Sequence, residues 1–365
     1  MKITLVAGAR PNFMKIAPII HALREQQAKG LPVKFRLVHT GQHYDKSLSE
    51  TFFHELDIPL PDANLEVGSG SQASQTAAIM TRFEEDLIAN PTDVVLVVGD
   101  INSTMACSIV AKKLNTQLVH VEAGIRSFDL AMPEEINRMV TDAIADHFFT
   151  TSNYANENLL KAGIDQSRIH FVGNTMIDTL YAKMGEFKQP SLWNEHGLIK
   201  GNYFLLTLHR PSNVDQASVL EETLRAIGEA TRGLPIIFPT HPRTIGNLKK
   251  LASLPDNIRT TSPLGYLEFM YLIQNSKAVI TDSGGIQEET TVLKVPCITL
   301  RKNSERPETI TVGTNELVPD IKQLKQITDK LFANKWKKGG IPELWDGKTA
   351  QRIAAILYEI YGRAS

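Results

Sequence analysis

Residues 93–100, Asp-Val-Val-Leu-Val-Val-Gly-Asp, decide the fold class of this chain. Five consecutive apolar residues, four of them valine, end in a glycine and an aspartate, and a helical pattern follows. A short apolar run rich in β-branched residues predicts a buried strand, and the change of pattern after Asp100 predicts a strand–turn–helix unit.

The same unit recurs along the chain. We predict strands at residues 2–7, 34–40, 93–98, 117–121 and 147–150, and a second series at 203–208, 236–239, 258–260, 278–281 and 297–300. Strands that alternate with amphipathic helices form parallel sheets covered by helices on both faces. The sequence therefore predicts an α/β protein with two Rossmann-like domains facing across a cleft.

The domain boundaries follow from length and composition. A chain of 365 residues exceeds what one hydrophobic core usually serves. The segment 185–201, with one proline and three glycines, has the composition of a linker. We predict domains at 1–185 and 186–348, and a C-terminal helix in 349–365 that crosses back to the first domain.

Charge and cysteine content exclude several classes of protein. The chain has 39 Lys and Arg against 40 Asp and Glu, a net charge of -1, which argues against general binding of nucleic acid or anionic membranes. No apolar run approaches the length of a membrane span, so we expect a cytoplasmic protein. Cys107 and Cys297 are far apart and should be buried, which predicts neither a disulfide nor a metal site.

Ligands of open α/β sheets bind at the carboxyl ends of the strands. The first predicted strand runs into residues 8–12, Gly-Ala-Arg-Pro-Asn, at the start of a helix. Helix N-terminal amides and Arg10 would favour a phosphate group there, although a glycine turn after a first strand is also common in proteins without such a site.

Three acidic residues of the first domain are expected to converge on one edge of its sheet. Asp100 and Glu122 each end a predicted strand, and Glu134 opens a helix after Pro133, with Arg126 between them. Each acid has a structural alternative, because Asp100 can cap a helix and glutamate is common in a first turn. Carboxylates in close proximity would raise the pKa of at least one of them, which would supply an acid and a base to the same site.

The second domain carries groups suited to a nucleotide. His209 and Arg210 follow its first strand, and His241 follows the next. Residues 281–289 form a strand–turn–helix unit whose Ser283, Gly284 and Gly285 amides would bind a diphosphate, while an acid further along the helix would bind ribose hydroxyls. The spacing is not that of a Gly-x-Gly-x-x-Gly fingerprint, so we expect no NAD or other cofactor.

These motifs together resemble those of the non-hydrolysing UDP-N-acetylglucosamine 2-epimerases, which have the GT-B architecture. The resemblance covers nearly the whole chain and rests on residues 8–11, 40–43, 98–100, 120–124, 133–138, 173–175, 209–210 and 282–289, in the family's order.

The resemblance implies roles for individual residues. The implied catalytic set is Asp100, Glu122, Glu134 and His209. The implied or expected substrate-binding set is Arg10, Lys15, Arg126, His241, Leu264, Phe269, Ser283, Gly284, Gly285, Glu289 and Arg306, with Leu264 and Phe269 flanking the uracil and Glu289 at the ribose.

The resemblance also implies reversible inversion at C2 of UDP-N-acetylglucosamine by a homodimer, without a cofactor or metal. A hydrolysing relative that releases N-acetylmannosamine, an epimerase of a more decorated UDP-sugar, a glycosyltransferase of the same architecture and a UDP-sugar sensor without activity remain as alternatives.

Overall fold

The structure is a computed structural model that describes residues 1–42, 53, 55–240, 242–251 and 253–362. The chain divides into two units. Unit 1 comprises Met1–Tyr181 and Glu343–Ser365, and unit 2 comprises Ala182–Pro342. The unit boundaries thus lie at residues 181/182 and 342/343, where the sequence predicted 185/186 and 348/349.

Within the described residues, unit 1 has a seven-stranded parallel sheet in the order β3-β2-β1-β4-β5-β6-β7. The strands are β1 (Lys2–Ala7), β2 (Lys34–His39), β3 (Ala63–Asn64), β4 (Val94–Val98), β5 (Gln117–Val121), β6 (His147–Thr150) and β7 (Ile169–Phe171). All five residues of β4 are buried. The strands that follow β1 are added first on one side of it (β2 and β3) and then on its other side (β4 to β7). The boundary between β1 and β4 is therefore the reversal point of the sheet, and sheets of this type bind ligands at such a point.

The helices of unit 1 cover this sheet. They are α1 (Arg10–Ala28), α2 (Gln72–Ala89), α3 (Asn102–Lys113), α4 (Pro133–Ile144), α5 (Asn153–Lys161), α6 (Thr175–Lys183) and, after the chain returns from unit 2, the last helix Thr349–Tyr361. The last helix packs against α1 and buries Ile353 and Leu357. The Asp178 carboxylate accepts hydrogen bonds from the first two backbone amides of this last helix, those of Thr349 (3.1 Å) and Ala350 (2.6 Å).

Unit 2 repeats the plan with a six-stranded parallel sheet, counted over its described residues, in the order β10-β9-β8-β11-β12-β13. The strands are β8 (Phe204–Thr207), β9 (Ile236–Pro239), β10 (Ile258–Thr261), β11 (Ala278–Thr281), β12 (Cys297–Thr299) and β13 (Asn315–Leu317). The helices are α7 (Leu192–Glu195), α8 (Pro211–Val214), α9 (Ala217–Ala230), α10 (Pro242–Leu248), α11 (Tyr266–Asn275), α12 (Gly284–Leu293), α13 (Pro307–Thr311) and α14 (Leu324–Phe332); the helix Thr349–Tyr361 of unit 1 is then α15. The corresponding reversal lies between β8 and β11.

The two-sheet α/β class predicted from the sequence is confirmed. All ten predicted strands are present, and the structure adds β3, β7 and β13. These three strands are two or three residues long and lie at sheet edges. An edge strand of that length needs no apolar run, so the periodicity argument gave no signal for it.

The segment 185–201, predicted as the linker between the domains, packs within unit 2. It belongs to unit 2 and buries Leu192 and Leu198. The Trp193 ring packs edge-on against the rings of Tyr203 and Tyr271, with centroids 5.7 and 5.4 Å away. The apolar side chains between the glycines therefore tie this segment to the core of unit 2.

None of the helices formed by the described residues combines the length and apolar character needed to cross a membrane.

Candidate active site

The loop after β1 is held by the side chain of Asn12. The Asn12 Oδ1 atom accepts the amides of Gly8 (3.3 Å) and Ala9 (3.1 Å), and its Nδ2 donates to the Val98 carbonyl at the end of β4 (3.0 Å). The backbone amides of Gly8 and Ala9, which precede α1, are therefore hydrogen-bonded within the protein. Arg10, the first residue of α1, is exposed.

Lys15 and Glu122 form an ion pair beside the same reversal point. Lys15 Nζ donates to Glu122 Oε2, and their side chains are 12% and 2% exposed. Gly99 has a left-handed backbone (φ 69°), and a Cβ there would lie 3.2 Å from Lys15 Nζ and 3.4 Å from Glu122 Oε2. Glu122 also has a left-handed backbone (φ 68°), which costs a non-glycine residue about 1–3 kcal/mol. The turn after β5 is thus shaped to place this carboxylate against Gly99.

Asp100 is paired with a different cation. Arg138 Nη1 donates to Asp100 Oδ2 at 2.6 Å, and the Asp100 side chain is 31% exposed, so it keeps access to solvent. Glu134 is exposed in the first turn of α4, and its neighbour Glu135 is buried. Asp100 and Glu122 are thus each paired with a cation, Arg138 and Lys15 respectively.

Arg126, a predicted substrate contact, pairs with a buried acid. Its Nη1 lies 2.6 Å from Asp142 Oδ2, and the same carboxylate accepts the Gly124 amide (3.0 Å) and contacts His120 Nδ1 (2.7 Å). Burial opposes ionisation of Asp142, but His120 and Arg126 outweigh it and hold the pKa of Asp142 below its ordinary value. Arg126 is therefore fixed against α4 as an ionised pair.

Unit 2 places His209 at its own reversal point. The buried Asp282 carboxylate lies 2.8 Å from His209 Nδ1 and accepts the backbone amides of His209 (3.1 Å) and Arg210 (3.0 Å) and the Asn213 side chain (2.9 Å). Burial opposes ionisation, but the His209 contact and these donors keep the pKa of Asp282 below its ordinary value. Because the carboxylate accepts at Nδ1, the histidine presents Nε2 outward, and its side chain is 49% exposed.

Helix α12 begins at Gly284, two residues after Asp282. Its first turn contains no acidic residue, and Ser283 makes no side-chain cap. The Glu305 carboxylate lies against this end, since a Cβ on Gly284 would be 2.9 Å from Glu305 Oε1. Burial opposes ionisation of Glu305, but Arg301, 2.5 Å away, and Arg306 lower its pKa to about 2. The ionised carboxylate of Glu305 thus lies at the N-terminus of α12, where the helix dipole and the arginines favour a negative charge.

Glu289 lies further along α12 in a buried position. Its pKa is raised to about 8, first by burial and then by the neighbouring Glu288, which itself pairs with Arg306 Nε at 2.6 Å. The hydroxyl of Tyr266 is buried close to Glu289 without a well-formed hydrogen bond to it. Glu289 is therefore protonated at neutral pH and can both donate and accept hydrogen bonds.

The remaining predicted residues lie around the start of α11 or cannot be placed. Leu264 lies just before this helix and Phe269 lies within it, and both are half-buried. His241 lies outside the residues that the structure describes. Among the described residues, no group of three or more His, Cys, Asp and Glu side chains is arranged to hold a metal ion.

Apart from Lys15, sequence reasoning did not assign roles to the residues that pair with the predicted ones. Asp282 stands inside the quoted motif at a strand end, and its position was the available signal. Arg138 lies three residues after Glu135, the spacing of neighbours on one helix face. Asp142 carried no local signal, because its partners His120, Gly124 and Arg126 come from a different part of the sequence.

Two parallel-sheet units with polar groups at the reversal point of each sheet define an enzyme of the GT-B class. A family model described as UDP-N-acetylglucosamine 2-epimerase matches residues 25–358. The chain belongs to this family and is an isomerase, as the names of its relatives indicate.

Individual relatives are similar to this chain over their full length. A UDP-N-acetylglucosamine 2-epimerase of Methanocaldococcus jannaschii is 41% identical, with 100% of both chains covered. A UDP-2,3-diacetamido-2,3-dideoxy-D-glucuronate 2-epimerase of Pseudomonas aeruginosa is 38% identical, covering 99% of this chain and 100% of the relative. The crystal structure of the M. jannaschii UDP-GlcNAc 2-epimerase in complex with UDP-GlcNAc and UDP has a TM-score of 0.88 at 40% identity, covering 98% of this chain and 100% of that one.

Proposed function

We propose that this chain reversibly converts UDP-N-acetylglucosamine into UDP-N-acetylmannosamine. The observation that carries the proposal is the arrangement at the end of β4 and β5, where Asp100 and Glu122 are each held by a cation. Carboxylates fixed in this way suit proton transfer at a carbon atom. The M. jannaschii relative, whose name states this activity, supports the substrate.

The chemistry of C2 defines what the site must do. The C2 proton is not acidic, because no carbonyl group is adjacent to it in the ring. Cleavage of the bond between C1 and the phosphate oxygen, with the electron pair leaving on UDP, makes C1 electron-deficient and acidifies the C2 proton. Loss of that proton to a carboxylate forms a C1–C2 double bond, so the intermediates are a glycal and UDP.

The reverse steps complete the inversion. A protonated acid delivers a proton to C2 from the opposite face, and the UDP oxygen attacks C1 again. UDP must stay bound throughout. In this proposal His209, Arg10 and the amides of Ser283, Gly284 and Gly285 stabilise the charge on departing UDP, as expected for preorganised electrostatic catalysis. In the same proposal, Lys15, Arg126 and Arg306 contribute positive charge to the binding of the substrate, and His241 makes a further contact with a phosphate.

The acids of unit 1 then divide the proton transfers among them. We assign these transfers to Asp100, Glu122 and Glu134. Glu289 binds the ribose hydroxyls, and Leu264 and Phe269 flank the uracil. The buried, neutral state of Glu289 supports its assignment, because a protonated carboxyl can pair with hydroxyls as both donor and acceptor.

Product analysis tests this function against its alternatives. The protein is incubated with UDP-N-acetylglucosamine, and products are separated by anion-exchange chromatography. UDP-N-acetylmannosamine without matching release of UDP is the expected result. Free N-acetylmannosamine with equimolar UDP would identify hydrolysis, and UDP binding without any product would identify a sensor.

A decorated substrate is the second candidate, because the P. aeruginosa relative is nearly as similar as the M. jannaschii one. The same assay with UDP-2,3-diacetamido-2,3-dideoxy-D-glucuronate separates the two candidates. A kcat/KM more than 10 times higher for one of the two substrates would decide between them. This ratio corresponds to a difference on the order of 1.4 kcal/mol in transition-state binding.

We also propose that the protein is a homodimer through unit 1. The loop before α4 and the helix itself expose Phe128, Leu130, Ile136 and Met139. A pocket of about 530 Å³ between α2, α3 and α4 is lined without a charged side chain. Exposed apolar side chains beside a pocket without charge are typical of protein–protein contacts, and a second copy is the occupant we propose. Light scattering should give about twice the chain mass of 40.5 kDa, and Ile136→Asp should shift it to the monomer.

A cytoplasmic location is proposed from the two thiols. Cys107 and Cys297 are both free and buried, which is typical of proteins from a reducing compartment.

A further inference from the structure

We propose that Arg138 is a positioning residue for the epimerisation, which acts by holding the Asp100 carboxylate in its reactive orientation. This inference rests on the proposed function, because it requires Asp100 to take part in proton transfer. It assigns a role to a side chain that is itself 2% exposed and therefore acts on the substrate through another residue.

Arg138 lies between two carboxylates. Its Nη1 donates to Asp100 Oδ2 at 2.6 Å, while its Nε and Nη2 donate to Glu135 Oε2 at 3.1 and 2.7 Å. A guanidinium group offers donors in a planar, fixed fork, so contacts with Glu135 on one edge fix the direction in which Nη1 points. The orientation of Asp100 is thus coupled to the position of Glu135.

Glu135 is in turn fixed to the backbone. It is 1% exposed and accepts the amides of Ser127 (2.9 Å) and Phe128 (3.1 Å) as well as the Ser127 hydroxyl (3.0 Å). Burial opposes its ionisation, but these donors and Arg138 keep the pKa of Glu135 below its ordinary value. Glu135 is therefore an ionised anchor for Arg138 at neutral pH.

The same helix also holds the Asp100 backbone. Asn137 Nδ2 donates to the Asp100 carbonyl at 2.9 Å and to Asn102 Oδ1 at 3.2 Å. Asp100 is thus fixed by α4 at its carbonyl and at its carboxylate. Because Glu134 lies in the first turn of α4, this helix also sets the geometry of Asp100 relative to Glu134.

The residual motion of Asp100 without Arg138 is the quantity that matters. An exposed aspartate without a fixed partner samples several rotamers. A misplacement of about 1 Å in a reacting group can cost about 100-fold in rate. We therefore expect Arg138→Gln to lower kcat about 100-fold, with KM and the Kd for UDP changed by less than about threefold. Arg138→Lys keeps the charge without the fork, and its kcat should lie between those of Arg138→Gln and the unchanged protein.

A matched control accounts for the loss of a buried ion pair. Arg36 binds Asp86 through two hydrogen bonds of 2.6 and 2.9 Å, and these side chains are 19% and 11% exposed. Arg36 lies in the first half of β2, away from the carboxyl end of the sheet where the acids lie. Arg36→Gln should lower the melting temperature as Arg138→Gln does and leave kcat unchanged.

A double-mutant cycle gives the decisive readout. If Arg138 acts through Asp100, Arg138→Gln should cause no further loss in a protein that already carries Asp100→Asn, measured as the single-turnover rate. Multiplicative losses in the double variant would overturn the proposal, as would an unchanged kcat in Arg138→Gln while Asp100→Asn is impaired. If the protein without any substitution turns over neither UDP-sugar, the proposed function is refuted, and this inference with it.

Discussion

The buried carboxylate of Asp282 binds both the backbone and the ring of His209, at 3.1 Å from its amide nitrogen and 2.8 Å from Nδ1. The two residues follow β11 and β8, which are adjacent in the sheet of unit 2. A single acid therefore fixes the tautomer of the histidine and the turn that carries it. Removal of the corresponding partner of a metal-binding histidine typically changes activity about 10–100-fold, which gives the order of magnitude for this pair.

Asp282→Asn tests the role of this pair. The asparagine side chain lacks the negative charge that favours the Nδ1–H tautomer of His209, so we expect kcat to fall about 10–100-fold. Steady-state kinetics would measure this. Asp146→Asn is the control, because Asp146 likewise accepts a backbone amide, from Leu118 at 2.7 Å, and pairs with Lys112 in unit 1 outside the candidate site. Equal kcat values for both variants would contradict the role assigned to Asp282.

The three acids of unit 1 should separate from Glu289 in their effects. Asp100→Asn, Glu122→Gln and Glu134→Gln each remove a proton-transfer group and should lower kcat by about 10²–10⁴. Glu289→Ala should mainly weaken UDP binding. Calorimetric titration with UDP alongside kinetics distinguishes the two groups, and an unimpaired kcat in all three acid variants would refute the assignment of the acids.

Glu289 makes a specific contribution to the pH dependence of stability. Its pKa in the folded protein is about 8, above its ordinary value of 4.5, so the folded state retains a proton that the unfolded chain loses between these pH values. Its contribution therefore destabilises the folded state progressively as pH rises through this window. Glu289→Gln removes the effect, and the melting temperature of this variant relative to the unchanged protein should rise from pH 5 to pH 9.

Glu305→Gln serves as the control for that experiment. The pKa of Glu305 is about 2, so the residue is ionised in both states above about pH 6. Its difference in melting temperature should stay constant between pH 6 and pH 9. A constant difference for Glu289→Gln as well would show that Glu289 is not protonated in the folded protein.

Asp178 should control how firmly the C-terminal segment is attached. Its carboxylate accepts two amides of α15, and loss of such a cap costs about 1 kcal/mol, or about a fivefold change in the population of the detached state. Asp178→Ala should therefore increase the rate of limited proteolysis in the last 23 residues about fivefold. Asp165→Ala removes an exposed cap of a short turn and should leave that rate unchanged. Equal rates in both variants would refute this role of Asp178.

The sequence predicted the strands that bury apolar runs and the residues at their carboxyl ends, because both are local properties. It placed Asp100 and Glu122 directly after β4 and β5, and the structure agrees. It did not predict that Arg138 and Lys15 would bind these acids, since the partners are 38 and 107 residues apart. Asn12 shows the same limit, because its contact with the Val98 carbonyl depends on β1 and β4 being neighbours, which no local pattern specifies.

The central claim is that C2 of a UDP-linked N-acetylhexosamine is deprotonated and reprotonated while UDP stays bound. Incubation of the protein with UDP-N-acetylglucosamine in deuterated water, followed by proton NMR, tests it most directly. The account predicts that the C2 proton signal of the UDP-sugar pool is lost while the other ring signals remain, and that UDP-N-acetylmannosamine forms. Formation of that product with the C2 proton retained would contradict the account.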